Sequence, residues 1–166
     1  LVGRMAELGP TFEQRAAKYD RDASFPYENF ADLRDAGFHG LCVPTRHGGL
    51  GADFVTYALV AEELGRHCGA TALTFNMHTA TCLLAGPIAD ELGLTGDDLA
   101  LLDARRTLLF DGVIGGHTLH SQPFSEGLSG RATTGVATVA KPVDGGFRIT
   151  GKKIFASLSD AADMHN

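Results

Sequence analysis

The sequence has no tryptophan, only three cysteines and no long apolar run. Cys42, Cys68 and Cys82 are too few and too scattered for a disulfide framework, and their odd number suggests a reducing compartment. No apolar stretch reaches the ~18 residues that cross a membrane. We therefore expect a cytoplasmic protein without a membrane span.

Positive charge is also scarce. The net charge is −6 at pH 7, with 14 Lys and Arg against 20 Asp and Glu. Binding to a phosphate backbone requires clustered Lys and Arg, and the sequence contains no such run. This excludes a nucleic-acid partner. The hydrophobic fraction of 44% is ordinary for a soluble globular protein.

Residues 1–112 have the pattern of a helical domain. A break at Gly9 and Pro10 is predicted to interrupt the first helix. Pro26 suits the start of a second helix, which Gly37 ends. The apolar residues 41–44 that follow are predicted to be extended.

Three further helices are predicted in this domain. Asp53 is a candidate N-cap for the first of them. The second, about residues 71–84, has no polar face, which is typical of a central, buried helix. The third begins at Asp97 or Asp98, continues to about Phe110 and ends at Gly112.

After Gly112 the pattern becomes that of short strands. Residues 113–122 are predicted to be extended, and residues 144–146 form a hairpin-type turn. Residues 147–150 alternate apolar and polar side chains, the period of a half-buried strand. An isolated hairpin is marginally stable, so we expect more sheet to follow Asn166. The predicted fold class is α+β: an all-α helical N-terminal domain, then the first strands of an antiparallel β domain (113–166), with the chain incomplete.

Two motifs in the helical part invite a functional interpretation. The glycines at residues 48–51 precede a helix, as in phosphate-binding loops. They lack the third glycine of the dinucleotide fingerprint, and no Lys-Ser or Lys-Thr follows, so we interpret them as a tight turn. His78 and Cys82 share a helix face, but no Cys-x-x-Cys pair completes a zinc site. We predict no metal.

Two stretches after Gly112 are more informative about function than these motifs. Residues 118–123 form a predicted strand that ends in polar side chains and a proline. Residues 149–157 form a predicted strand with an aromatic ring followed by a hydroxyl. Together they would place a ring and two hydroxyls on neighbouring strands of one sheet.

These motifs, in this order, resemble the acyl-CoA dehydrogenase family. The matching stretches are residues 33–44, 47–53, 61–66, 121–123, 144–157 and 160–163. The family has a helical N-terminal domain, a middle β domain and a C-terminal four-helix domain. The resemblance therefore implies a fragment of an FAD enzyme that desaturates an acyl thioester, with hydride transfer to the flavin N5. It also implies a homo-oligomer when full length.

The resemblance implies particular site residues. His120 and Ser121 match strand positions that contact the flavin. Phe155 falls where the family has a Trp beside the flavin, and plain sheet core is the alternative. Ser157 matches a Thr whose hydroxyl bonds the flavin near N5. The family's catalytic Glu lies in its C-terminal domain, so we expect no catalytic residue in this chain.

Departures from the family pattern leave alternatives open. Gln122 stands where the family usually has Glu, and the loop at residues 124–131 is longer than typical. That loop helps to hold the FAD phosphates and the CoA portion, so Arg131 is a candidate substrate contact; a solvent-facing loop residue is the alternative. A flavin monooxygenase on the same fold is a second hypothesis. A non-catalytic helical interaction module is a third.

Overall fold

The computed structural model describes residues 1–126 and 136–166. The α-helices of the described part are α1 (Val2–Asp22), α2 (Tyr27–Asp35), α3 (Phe54–His67), α4 (Gly69–Leu83) and α5 (Gly96–Gly115). Short 3-10 turns at Phe38–Gly40 and Thr45–His47 connect α2 to α3, and a π-helical turn at Leu84–Ile88 follows α4. Within the described ranges, none of the helices combines the length and apolarity needed to cross a bilayer.

Helix α1 runs without interruption through Gly9 and Pro10, so the predicted break is wrong. Its buried residues Met5 and Phe12 belong to the same core as residues of α3. This packing offsets the hydrogen bond that Pro10 cannot donate. Gly9 allows the close approach, because an added Cβ would lie 2.3 Å from the ring of His67. Tertiary packing therefore overrides the local helix-breaking signal.

Local signals set the ends of two other helices as predicted. Helix α2 begins directly after Pro26 and ends just before Gly37, whose φ is 78°. Asp53 caps α3, since its carboxylate accepts a hydrogen bond from the backbone N–H of Thr56 at 2.8 Å. This bond also lowers the pKa of Asp53.

Helix α4 lies at the centre of the core, as its lack of a polar face predicted. It packs against α3 and against strand β1 (His120–Ser121). Its buried side chains are Thr71, Ala72, Phe75, His78, Thr79, Thr81, Cys82 and Leu83. Because β1 rests on α4, this helix positions the first predicted part of the site.

Two segments of the helical part differ from their predictions. Residues 41–44 are not extended: they lie buried between the two 3-10 turns. Their apolar character therefore marked burial, not a strand. Helix α5 continues past Phe110 and Gly112 to Gly115, because Val113 is 1% exposed and belongs to the core. The extended chain begins later than residue 113, and a domain boundary at 112/113 stays a prediction.

Outside the undescribed residues 127–135, the strands form two pairs. Strands β2 (Val139–Val143) and β3 (Gly146–Thr150) make the predicted antiparallel hairpin, and Gly145 in its turn has φ 79°. Strand β1 pairs in parallel with β4 (Met164–His165), which the sequence pattern did not indicate. The predicted class, a helical part followed by a few strands, is confirmed.

The β2–β3 hairpin is exposed on both faces. Phe147 and Ile149 are 68% and 70% exposed, so the prediction of a half-buried strand is wrong. Alternation marks one apolar face, but nothing in the described ranges covers that face. Strand β3 ends at Thr150, so the single strand predicted through residue 157 is wrong as well.

Candidate functional site

Strand β1 lies between α4 and the last residues of the chain. His120 and Ser121 are 6% and 0% exposed. The carboxylate of Asp163 accepts the Leu119 N–H at 2.8 Å, and the Ser121 carbonyl accepts the Asn166 N–H at 3.0 Å. Hydrogen bonds therefore hold the strand at both ends.

The two predicted site residues of β1 have side-chain partners inside the protein. The Ser121 hydroxyl lies 2.5 Å from Nδ1 of His165. The side-chain amide nitrogen of Asn166 lies 3.2 Å from Nδ1 of His120. Both partners belong to β4 or follow it directly. The side chains of His120 and Ser121 are therefore covered on this side, and these contacts fix the position of β1.

His78 has a role that the sequence did not indicate. Its Nε2 donates to the carbonyl of His39 at 2.9 Å, and its Nδ1 accepts the backbone N–H of His120 at 3.2 Å. One donating and one accepting nitrogen define a neutral ring. Burial lowers the pKa of His78 to about 3, which agrees with that state. His78 thus ties α4 both to β1 and to the turn at Phe38–Gly40.

Gln122, which departs from the usual Glu of the family, belongs to a buried polar cluster. It is 8% exposed, and its amide nitrogen donates to the hydroxyl oxygen of Thr81 at 2.7 Å. The same oxygen lies 3.3 Å from the side-chain nitrogen of Asn166. An ionised carboxylate would lack the donor that Gln122 supplies. The amide is therefore suited to this cluster.

The chain that follows β1 lies beside part of the second informative stretch, residues 149–157. The Ile154 N–H donates to the Ser125 carbonyl at 2.9 Å, and Lys153 forms an isolated antiparallel bridge with Glu126. The Lys153 ammonium lies 2.7 Å from the Glu126 carboxylate. Hydrogen bonds from Lys153 and from the backbone of residues 137 and 138 lower the pKa of Glu126 to about 2. These contacts join residues 153 and 154 to residues 125 and 126, whereas β1 itself pairs with β4, so the predicted placement of residues 118–123 and 149–157 on neighbouring strands of one sheet is wrong.

Phe155 and Ser157 occupy the turn that follows this bridge. Phe155 is 78% exposed within the described part of the chain, and the choice between a flavin contact and sheet core stays a prediction. Its φ is 54°, an uncommon value for a bulky residue. Ser157 is half-buried. Leu158, with φ 77°, is 3% exposed and belongs to the hydrophobic core, so its burial anchors the strained turn. The turn thus buries Leu158 and presents the ring of Phe155 to solvent.

The glycine-rich loop packs on the chain that precedes it. The backbone N–H groups of Leu50, Gly51 and Ala52 donate to carbonyls of residues 40–43, each at 2.9 Å. A phosphate-binding loop directs such groups at its ligand. The interpretation of this loop as a structural turn is therefore confirmed. Arg131, the predicted substrate contact, lies outside the described residues.

Comparison with known proteins agrees with this architecture. Residues 8–90, half of the chain, match the family described as "Acyl-CoA dehydrogenase, N-terminal domain". These residues include most of α1 and all of α2, α3 and α4. The chain belongs to the acyl-CoA dehydrogenase family.

Individual relatives extend the similarity beyond residue 90. YdbM of Bacillus subtilis (strain 168), a protein provisionally named an acyl-CoA dehydrogenase, is 30% identical over 98% of this chain and 39% of its own length. Mitochondrial isovaleryl-CoA dehydrogenase of Arabidopsis thaliana is 26% identical over 89% of this chain and 34% of its own. The chain thus spans well under half of these relatives.

A solved structure shows the same fold. The structure of KijD3 in complex with dTDP superimposes with a TM-score of 0.80 at 25% identity, over 97% of this chain and 39% of KijD3. At this coverage the match extends beyond the helical part into the strands.

Proposed function

We propose that this chain is the N-terminal part of a flavin-dependent oxidoreductase that desaturates an acyl thioester between its α and β carbons. The family and the names of the relatives support the substrate class. One structural observation carries the proposal: Phe155, exposed on a strained turn, comes two residues after Lys153, which bridges to Glu126 in the chain that follows β1. A bound flavin would supply the hydride acceptor for this chemistry.

The residues around this turn fit a flavin ring. The exposed face of Phe155 suits stacking on a planar ring system. The hydroxyl of Ser157, two residues further on, suits a hydrogen bond to its polar edge. The positive φ of Phe155 agrees with a binding role, since strained residues cluster at functional sites. His120 and Ser121 contribute differently: they hold β1 as the adjoining wall, because their side chains are already bonded within the protein.

The remaining assignments rest on the family resemblance. We propose FAD as the cofactor, with FMN as the alternative, since a second KijD3 structure at 25% identity and a TM-score of 0.74 contains FMN. Arg131 is proposed to contact the phosphates of an acyl-CoA substrate. The catalytic base is proposed to lie outside this chain. A homo-oligomer is proposed for the full-length protein.

The full-length protein is expected to purify yellow, with the absorbance of a bound flavin. Chromatography of the released cofactor would distinguish FAD from FMN. Anaerobic addition of an acyl-CoA is expected to bleach the flavin, because the substrate would reduce it. A colourless protein that takes up neither FAD nor FMN would contradict the proposal.

Replacing Phe155 with alanine is expected to weaken flavin binding several-fold, because stacking on an aromatic ring contributes roughly 1 kcal/mol. The free energy of unfolding is expected to change little, since the ring is 78% exposed. Phe147→Ala is the matched control: its ring is 68% exposed on β3, outside the proposed site. Flavin affinity is measured by fluorescence titration of the apoprotein. Equal affinities for the two variants would remove Phe155 from the site.

A second candidate function is a flavin monooxygenase on the same fold. It is favoured by Gln122, whose amide is built into the Thr81 cluster where the family usually has a carboxylate. In that case an acyl-CoA would leave the oxidised flavin unchanged. The protein supplied with reduced flavin and oxygen would instead hydroxylate an aromatic or amine substrate. The anaerobic bleaching experiment separates these two functions.

A further inference from the structure

A basic groove lies outside the proposed flavin site. It follows α2 and the turn at Phe38–Gly40 and reaches the chain that leads into β1. It consists of two cavities of about 180 Å³ each, which share Arg34, His39 and His117. At roughly 30 Å³ for each water, either cavity has room for several heavy atoms.

Three basic side chains line this groove: Arg34, His39 and His117. Among the described residues no carboxylate lines either cavity, although the hydroxyl of Tyr27, which lines the second one, donates to the Asp160 carboxylate at 2.8 Å. Asp35 pairs with Arg34 at 3.0 Å, but the two side chains are 43% and 71% exposed, so this surface pair is weak. The guanidinium has five donors and can bind a further oxygen acceptor.

His39 is a buried polar group whose hydrogen-bonding capacity is unused. Its side chain is 6% exposed, and neither ring nitrogen has a hydrogen-bond partner within the described part of the chain. Such groups are rare and costly in native structures. Burial lowers the pKa of His39 to about 4; the nearby backbone of Phe30 and the Asp35 carboxylate act in the opposite direction, and Arg34 and His117 lower it further. An anion in the groove would offset both the burial and the positive field.

Apart from the hydroxyl of Tyr27, which is bonded to Asp160, the rest of the lining consists of apolar side chains and backbone. Tyr27, Phe30, Leu119 and Ala161 line the second cavity. At Gly37, which lines the first, no atom lies within 4 Å of the place a Cβ would take. The groove therefore combines a basic centre with an apolar flank, which suits a ligand that has a charged end and an apolar body.

We propose that this groove binds a small organic anion, with its carboxylate or phosphate group against Arg34, His39 and His117 and its apolar body against Tyr27 and Phe30. The site is separate from Phe155 and Ser157. It does not depend on the proposed function, because the geometry that carries it involves no flavin.

Calorimetric titration of the full-length protein tests the proposal with four probes. Phenyl phosphate and benzoate each carry an apolar ring, whereas inorganic phosphate and acetate present the charged groups alone. If the groove prefers a phosphate, phenyl phosphate is expected to bind more tightly than inorganic phosphate. If it prefers a carboxylate, benzoate is expected to bind more tightly than acetate. The comparison of phosphate with carboxylate identifies the preferred head group.

Substitutions in the groove test whether the probes bind there. Arg34→Gln is expected to weaken binding about tenfold or more, as for the loss of a charge-assisted hydrogen bond. His117→Asn is expected to weaken it too, because Asn tolerates the positive φ of 54° but lacks the imidazole. Arg66→Gln is the matched control, since Arg66 pairs with Glu62 and Glu63 on α3, outside the groove. Absence of saturable binding by all four probes, or an equal loss in Arg66→Gln, would overturn the proposal.

Discussion

Gly49→Ala is expected to destabilise the protein by about 3 kcal/mol or more, the upper range for overpacking a close contact. A Cβ at this position would lie 2.1 Å from the carbonyl oxygen of Val43 and 2.4 Å from the Val43 Cβ. The obstacle is backbone, which cannot rotate away as a flexible side chain could. The same carbonyl accepts the Gly51 N–H at 2.9 Å, so moving it would disrupt the loop as well.

Chemical denaturation followed by circular dichroism measures this effect. The matched control is Gly69→Ala, because no atom lies within 4 Å of the corresponding Cβ at the start of α4. Gly69→Ala is expected to be neutral or slightly stabilising, since alanine favours helix. If the two variants unfold at the same denaturant concentration, the close approach at Gly49 is absent.

His78→Leu is expected to cost about 3 kcal/mol, the second large effect. The substitution removes a buried ring that accepts the His120 N–H and donates to the His39 carbonyl. Two buried backbone groups would lose a partner, each at a cost of about 1–3 kcal/mol. Because His120 belongs to β1, we also expect faster amide hydrogen exchange along this strand. Thermal unfolding and hydrogen exchange measure the two effects.

Thr79→Val is the control for His78→Leu. It also replaces a buried polar residue of α4 with an apolar one, but the Thr79 hydroxyl, among the described residues, bonds only back to Phe75 of the same helix, at 3.0 Å. The control is expected to change stability little and to leave exchange in β1 unaltered. Similar protection of β1 in both variants would show that His78 does not hold the strand.

The pH dependence of stability provides an independent measure of His78. The folded-state pKa values of His78 and His39 are about 3 and about 4, below the ordinary value of 6.5. Between pH 6.5 and these pKa values, the two histidines bind more protons in the unfolded chain than in the folded protein, so acid favours unfolding. The contribution of these two histidines to the free energy of unfolding is fully present above pH 6.5 and decreases as the pH drops toward 4. In His78→Leu the contribution of this ring is missing, so the decline with acid is expected to be shallower.

The elements that the sequence predicted correctly depend on neighbours in the chain. The N-cap at Asp53, the start of α2 after Pro26 and the turn at Gly145 each follow from the backbone preferences of a few adjacent residues. The elements that it predicted wrongly depend on distant contacts. Helix α1 passes through Pro10 because Met5 and Phe12 are packed in the core, and α5 continues because Val113 is buried there.

The candidate site shows the same division. The order of motifs along the chain was sufficient to identify the family. Which side chains face solvent was decided by tertiary structure: Phe155 is 78% exposed, whereas Ser121 is 0% exposed. Alternation along a strand defines two faces, but it does not say whether another part of the protein covers either of them.

His78 is the clearest case of information that the sequence lacked. Its two partners, the His39 carbonyl and the His120 N–H, lie 39 and 42 residues away along the chain. Both partners are backbone groups. Every residue type except proline has both a backbone N–H and a C=O, so no residue pattern can predict which of them His78 will contact. Local preferences and motif order thus established the helices, the hairpin and the family. Tertiary packing, such as that of α4 against β1, established which groups are covered and which are exposed.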